Sequence, residues 1–414
     1  MKSDMPRTPG PSFALALGMV ALIGPLAVHL FFPVIPAVKA AFGLSDALAQ
    51  FTFSIAVFGM GAATLVYGTL ADRLGRRPVL LSGLALFLVG TVASAAAANV
   101  PMLVLGRLVQ AVGAGCGLTL VRTIARDAYG PERLVKAIAY LTMFYAVGPM
   151  IAPAAGGVLV DAFGWRSVFG FALVGGIVIT AAVYAVVYET RPAAPASPAG
   201  GVLRGYGELF AQPRFTALVL QTGFSTATFL IIGSASATLM KELLARPATE
   251  FGLYFTLLPL GFISGTMISS RLGSRAPTEA MVLIGSLICL AAVAVQAVLL
   301  LTLPPAPLMF FLPGAVVTMS QGIALPYAQA GAMATIPRLA GTAAGIGVFV
   351  QQVAGALFAQ LYGLIADGTP RPMIVATALS AVLGVVAGAS AYLAARRPAK
   401  SRTGKSRAGV PNIS

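Results

Sequence analysis

Apolar runs of about 20 residues recur along the chain from residue 12 to residue 395, separated by short polar breaks. A helix rises about 1.5 Å per residue, so each run is long enough to cross the roughly 30 Å hydrocarbon core of a bilayer. Strands of an outer-membrane barrel would alternate in polarity, and these runs do not. Composition agrees: the 414 residues are 58% hydrophobic and 9% charged, too few charges to coat a soluble protein of this length. The first run is too long for a cleaved signal sequence, and eleven similar runs follow it. The expected fold class is an all-α polytopic membrane protein with twelve transmembrane helices.

The helices are expected at 12–36, 48–70, 78–98, 101–124, 137–160, 166–188, 214–238, 249–270, 280–302, 307–335, 341–366 and 372–395. The longest connector, 189–213, is rich in Pro, Ala and Gly and reads as a flexible linker. The expected organisation is an N-terminal six-helix bundle over 1–190, a linker over 191–213, a C-terminal six-helix bundle over 214–395, and a basic tail over 396–414. Basic residues set the orientation. With the N-terminus in the cytoplasm, cytoplasmic segments hold twenty Lys and Arg, and the other face holds five: Lys39, Arg166, Lys241, Arg246 and Arg371. The net charge of +15 is mostly this bias, so a solvated tail beside anionic lipid explains it better than a nucleic-acid partner. Both termini are therefore expected in the cytoplasm. The two cysteines, Cys116 and Cys289, fall inside apolar runs and read as packing residues, with no disulfide or metal framework.

ADRLGRR at 71–77 is echoed by SSRLGSR at 269–275, close to half a chain later. Two six-helix pseudo-repeat bundles related as parallel repeats are a transporter layout with the substrate site between the halves.

GTLADRLGRRP at 68–78 reads as a tight hinge between two helices. Gly68 would let helices approach closely. Asp72 could accept from the N–H groups of a helix start or pair with an arginine, a latch that can be broken when the halves rock. An ordinary basic loop is the plainer reading. In the fourth span, RLVQAVGAGCG at 107–117 puts Arg107 deep enough to be costly at a lipid face, so it should point into the bundle. Gly113 and Gly117 there suggest one small-residue packing face. In the fifth span, GPMIAPAAGG at 148–157 carries Pro149 and Pro153, expected to break helix hydrogen bonds. Gly148, Gly156 and Gly157 would allow close contact.

The first of these stretches resembles the loop signature of the major facilitator superfamily, with Gly68, Asp72, Arg73, Gly75 and Arg76 as its latch residues. The second resembles the superfamily's embedded-arginine motif, linked to proton coupling. The third resembles its antiporter motif. RTIARD at 122–127, FGWR at 163–166, YET at 188–190, GSAS at 233–236 and GTAAGIGVFVQ at 341–351 are similar to the Bcr/CflA (bicyclomycin-resistance-like) drug-efflux family. The resemblance implies the major facilitator fold, residence in the bacterial inner membrane, and proton-coupled antiport of drugs or metabolites with no cofactor. The partners expected are a small-molecule substrate and the bilayer, for a monomer.

One position departs from that family. Its members carry Asp-Met-Tyr-Leu-Pro at the outer end of the first helix, and here HLFFP stands at 29–33. The proton-carrying acid is replaced by His29, the chain's single histidine. The twelve carboxylates all read as loop or helix-end residues, which leaves His29 and Arg107 as the chief ionisable groups of the N-terminal interior; Arg122 sits near the inner end of its helix. His29 is either a proton carrier or only a hydrogen-bonding pore residue. A cavity with these cations and no carboxylate should favour neutral or anionic amphiphiles. Its wall is expected from Tyr145, Gln221, Phe224, Thr228, Tyr254, Phe255 and Gln351, on helical spacing. A proton-independent facilitator keeps the same fold and is the competing function. An enzyme is not expected: no G-x-S-x-G, H-E-x-x-H or nucleotide loop is present, and one histidine completes no metal site.

Overall fold

The computed structural model describes residues 9–191 and 202–396. The N-terminal Lys2 and Arg7 and the tail from residue 397 lie outside the described residues, as does linker 192–201. Among the described residues fifteen α-helices run in chain order. The first half contains α1 (Pro11–Ala21), α2 (Ile23–Val28), a 3-10 turn at His29–Phe31, α3 (Val34–Phe42), α4 (Asp46–Leu74), α5 (Arg76–Ala95), α6 (Val100–Phe163) and α7 (Arg166–Val186). The short α8 (Val202–Phe210) precedes α9 (Pro213–Glu242), α10 (Ala248–Phe255), α11 (Leu257–Leu272), α12 (Thr278–Thr302), α13 (Pro307–Thr335), α14 (Ala340–Ile365) and α15 (Arg371–Arg396). Twelve stretches are long and apolar enough to cross a membrane. The helix is the form in which such a segment satisfies its own backbone in lipid.

Five expectations need correction. The first span is not one helix. Pro25, Pro33 and Pro36 lack the N–H that would close an i→i−4 bond, and the chain turns at Leu22 and tightens at His29–Phe31. The carbonyls that Pro33 and Pro36 would have served accept instead from residues three ahead, Phe32 to His29 and Ile35 to Phe32, both at 3.3 Å. The fourth and fifth spans are the two expected stretches, Val100–Gly130 and Lys136–Phe163, joined within α6 through a kink at Gly130, φ 67°, and the fifth then runs on as one helix. Pro149 and Pro153 do not interrupt it. The linker is not wholly extended, because its second half folds into α8. Leu209 of α8 is fully buried against Phe215 and Leu218 of α9 and its neighbours in the second half, and Glu208 pairs with Arg338.

The remaining two corrections concern glycines. Gly113 and Gly117 do not share a partner: a Cβ on Gly113 would overlap the Phe87 backbone in α5, and one on Gly117 would meet the Val20 carbonyl in α1. The close α5–α6 seam is made by Gly113 together with Gly90 against the Gln110 backbone and Gly106 against Ser94. At Gly68 an added Cβ would find only the Thr119 methyl at 3.9 Å, so no close approach depends on it.

Candidate functional site: the break in the first helix and the seam between the halves

The 3-10 turn of the first span carries His29, and Arg107 of α6, the other ionisable group singled out from the sequence, bonds next to it. His29 is buried, stacked on Phe32 and edge-on to Phe229 of α9, both with centroids 5.7 Å away. Its Nδ1 has no hydrogen-bond partner. Phe229 belongs to the second half, so His29 sits at the seam. Phe32 continues the cluster to Phe53 at 5.2 Å and to Phe255 of α10 at 5.4 Å.

Arg107 of α6 is 1% exposed and donates to the Ala27 carbonyl at 2.9 Å and to Gln110 Oε1 at 2.6 Å. Gln110 is held in turn by the Thr91 hydroxyl at 2.9 Å. The guanidinium lies 4.0 Å over the Phe31 ring. Its Nε and second terminal nitrogen have no partner. Arg107 therefore grips residues 27 and 31, on either side of His29, and no hydrogen bond joins the two side chains among the described residues. A change in the arginine's partners would be passed to His29 through the backbone of the turn.

The loop after α4 forms a compact charge cluster within the first half. Arg76 pairs with Asp72 at 2.5 Å and Asp127 at 3.0 Å, and Arg126 also reaches Asp127. Gly75, at φ 102°, admits the Glu189 carboxylate to the start of α5, where it accepts from the N–H groups of Arg76 and Arg77. Burial pushes the Glu189 carboxyl up, but backbone hydrogen bonds from Arg76, Arg191, Arg77 and Thr190 outweigh it and hold the group below the usual carboxylate range. Arg191 also donates to the Arg73 carbonyl at 2.7 Å. The expected latch residues thus bind their own half in this conformation.

Contacts that cross between the halves gather at the opposite face. Lys39 bridges Asp46 at 2.5 Å and Glu242 of α9 at 2.9 Å. Asp161 of α6 accepts from Ala248 N at 3.1 Å and Thr249 N at 2.7 Å, capping the start of α10. Ser54 and the Ala47 carbonyl of α4 bond Gln360 of α14 at 2.7 and 3.1 Å. Of the antiporter-motif residues, Pro153 and Gly157 meet the second half at this closure, while Gly148 and Gly156 pack on their own half. Gly157 packs on the Ala248 carbonyl, Gly252 on the Pro153 carbonyl, Gly156 on Leu30, and Gly148 on Pro25. The residual cavity beside Asp161 has a volume near 30 Å³, far below the roughly 300 Å³ that a drug-sized solute needs.

The halves part toward the basic face, which carries the α4–α5 turn and α8. Gly341, Gly345 and Gly347 at the start of α14 face open space. Arg122 of α6 is exposed, and Tyr145, 41% exposed, lies within its electrostatic range. Of the expected wall residues, Tyr145 fits this cleft. Gln351 is half-buried with its amide nitrogen unpartnered. Gln221 and Thr228 do not line it: they turn into the second bundle, bonded to Ser286 at 3.1 Å and Ser380 at 2.8 Å. Buried polar side chains in a helix bundle find each other before they find solvent. Phe224 packs on Phe358 and Tyr254 stacks on Phe311, while Phe255 is fully buried in the aromatic cluster around Phe32. Sequence reasoning missed Phe229, Lys39, Glu242 and Asp161 as seam residues. Acids and bases at helix ends were visible, but their partners lie about 90 to 200 positions away.

Two six-helix bundles in a membrane, closed against each other at one face and parted at the other, define a secondary transporter fold. The family model described as Major Facilitator Superfamily matches residues 17–359. The chain belongs to the major facilitator superfamily. Its relatives include Multidrug resistance protein D of Escherichia coli (strain K12), 27% identical over 87% of this chain and 91% of that protein. Multidrug resistance protein MdtL of Shigella dysenteriae serotype 1 (strain Sd197) is 31% identical over 60% of this chain and 61% of its own length. The fold resembles the crystal structure of a D-xylose–proton symporter, with a TM-score of 0.75, 14% identity, and coverage of 92% of this chain and 97% of that one. It also resembles an inward-facing bacterial homolog of the human lysosomal transporter Spinster, with a TM-score of 0.72, 19% identity, and coverage of 92% and 96%.

Proposed function

We propose that this transporter exports small neutral or anionic amphiphiles, drugs or metabolites, in exchange for protons by alternating access. It would act as a monomer in the bacterial inner membrane, with both termini and the basic face in the cytoplasm. The proton gradient would be its energy source, without a cofactor. The relatives named for multidrug resistance support export. The observation that carries proton exchange is His29 at the seam, sealed by Phe32 of its own half and Phe229 of the other.

Charge is costly in that dry, unpartnered pocket. Rocking the halves apart at the outer face would draw Phe229 off the ring and wet it. His29 would take a proton there and release it when the aromatic seal re-forms and the cleft opens to the cytoplasm. Arg107, held on the same turn, would keep a second cation away from the ring and make the release obligatory.

The test is transport of the neutral amphiphile pyrenebutyramide in proteoliposomes with and without a pH gradient. Wild type should accumulate it only with the gradient. His29→Gln should lose gradient-driven accumulation yet still equilibrate the probe, and His29→Asp should restore coupling. Undiminished accumulation by His29→Gln would remove His29 as the proton carrier. Equal wild-type rates with and without a gradient would make the protein a facilitator.

A further inference from the structure

Arg122, like Arg107, lies well inside the fourth span. It lies eight residues before Gly130, roughly 12 Å along the helix from the basic end of its span. An arginine at that depth is expensive against lipid, so it must face protein or water. It is exposed and makes no hydrogen bond or ion pair among the described residues. The carboxylates that could neutralise it are committed elsewhere. Asp72 and Asp127 hold Arg76, Glu189 holds backbone N–H groups, Glu208 holds Arg338, and Glu279 holds Arg214. The side chains of Asp4 and Glu132 lie outside the described residues. Tyr145, on the stretch of α6 that follows Gly130, lies within electrostatic reach of Arg122 and is 41% exposed. On α14, Gly341 and Gly345 lie about one turn apart, and a Cβ on either would meet open space.

We infer that Arg122 and Tyr145 form an anion subsite in the cleft, taking the carboxylate or similar acidic headgroup of an amphiphilic substrate. The inference rests on the exporter reading and gives anionic amphiphiles the stronger hold on the site. A guanidinium and a phenol hydroxyl donate together to one carboxylate, and neither has a protein acceptor to give up first. A permanent cation would meet an unshielded arginine at the entrance.

The test compares binding of pyrenebutyrate and its neutral analogue pyrenebutyramide to purified protein in phosphatidylcholine nanodiscs. Arg122→Gln should weaken pyrenebutyrate about tenfold, the scale of one charge-assisted hydrogen bond, and leave pyrenebutyramide within about twofold. Arg122→Lys should recover most of the loss, and Tyr145→Phe should lose part of it. Equal losses for both probes, or no loss for pyrenebutyrate, would overturn the subsite. Phosphatidylglycerol in the nanodiscs separates the two sources of an anionic headgroup. If it competes with pyrenebutyrate in wild type and not in Arg122→Gln, the site belongs to lipid and the substrate assignment falls. If wild type binds pyrenebutyramide and not pyrenebutyrate, the subsite fails alone. If it binds neither, the exporter reading fails with it.

Discussion

A buried arginine without a carboxylate is an unusual choice in a membrane span. Arg107 is 1% exposed, two of its nitrogens are unpartnered, and its stabilising contacts are one carbonyl, one amide oxygen and the face of Phe31. Replacing a whole buried ion pair by well-packed apolar residues is often neutral or stabilising by about 1–4 kcal/mol, and Arg107 has no carboxylate partner that its removal would strand. Arg107→Met should therefore melt at the same temperature as wild type or a few degrees higher, while losing at least about tenfold in transport rate. A melting temperature well below wild type would mean the arginine is structural. The same reasoning applies to His29: the ring has aromatic contacts but no hydrogen bond at Nδ1, so packing alone does not require a titratable residue there.

Among the elements, the tightest constraints sit where backbones touch. A Cβ at Gly157 would overlap the Ala248 carbonyl of α10, so Gly157→Val should prevent closure at the opposite face. A cysteine at position 54, which bonds Gln360 in this conformation, should then become reactive to a membrane-impermeant maleimide. Gly68→Ala should leave both transport and labelling unchanged, since its neighbour stands at 3.9 Å.

The turn into α5 adds a pH-dependent contribution. The Glu189 carboxyl is held below its ordinary range in the fold. Its stabilisation is therefore present above the ordinary carboxylate value and is lost as pH falls through the lowered one. Glu189→Gln should cost about 1 kcal/mol at neutral pH, a charged hydrogen bond discounted for exposure. That gap should close in acid, as followed by thermal unfolding in detergent across pH. A pH-independent gap would contradict the assignment.

At the scale of the whole molecule, the seam is closed on one side by the aromatic cluster around Phe32 and by a few polar contacts. Lys39–Glu242, Asp161 with the start of α10, and Ser54–Gln360 are contacts that can be exchanged for water when the halves rock. A Lys39→Cys/Glu242→Cys pair, oxidised, should hold the cleft open to the basic face and stop transport, with recovery on reduction. Cys116 and Cys289 are buried and should not interfere. Transport that continues with the disulfide formed would show that this face does not open during the cycle.

The sequence by itself determined the twelve spans, the all-helical class, the repeat and the family, because each rests on local composition or on a short contiguous motif. It also put Arg107 inside the bundle, since charge at that depth has few alternatives. Only the tertiary structure decided which way the halves part and which side chains face the cleft. Gln221, Phe224 and Thr228 share one helical face, yet Gln221 and Thr228 are bonded inside the second bundle and Phe224 packs on Phe358, because helix rotation is set by neighbours distant in the chain. The partners of Asp161 and Lys39, and the seal of Phe229 over His29, were invisible for the same reason: they join the two halves, and pairing across that distance leaves no periodic trace in a single sequence.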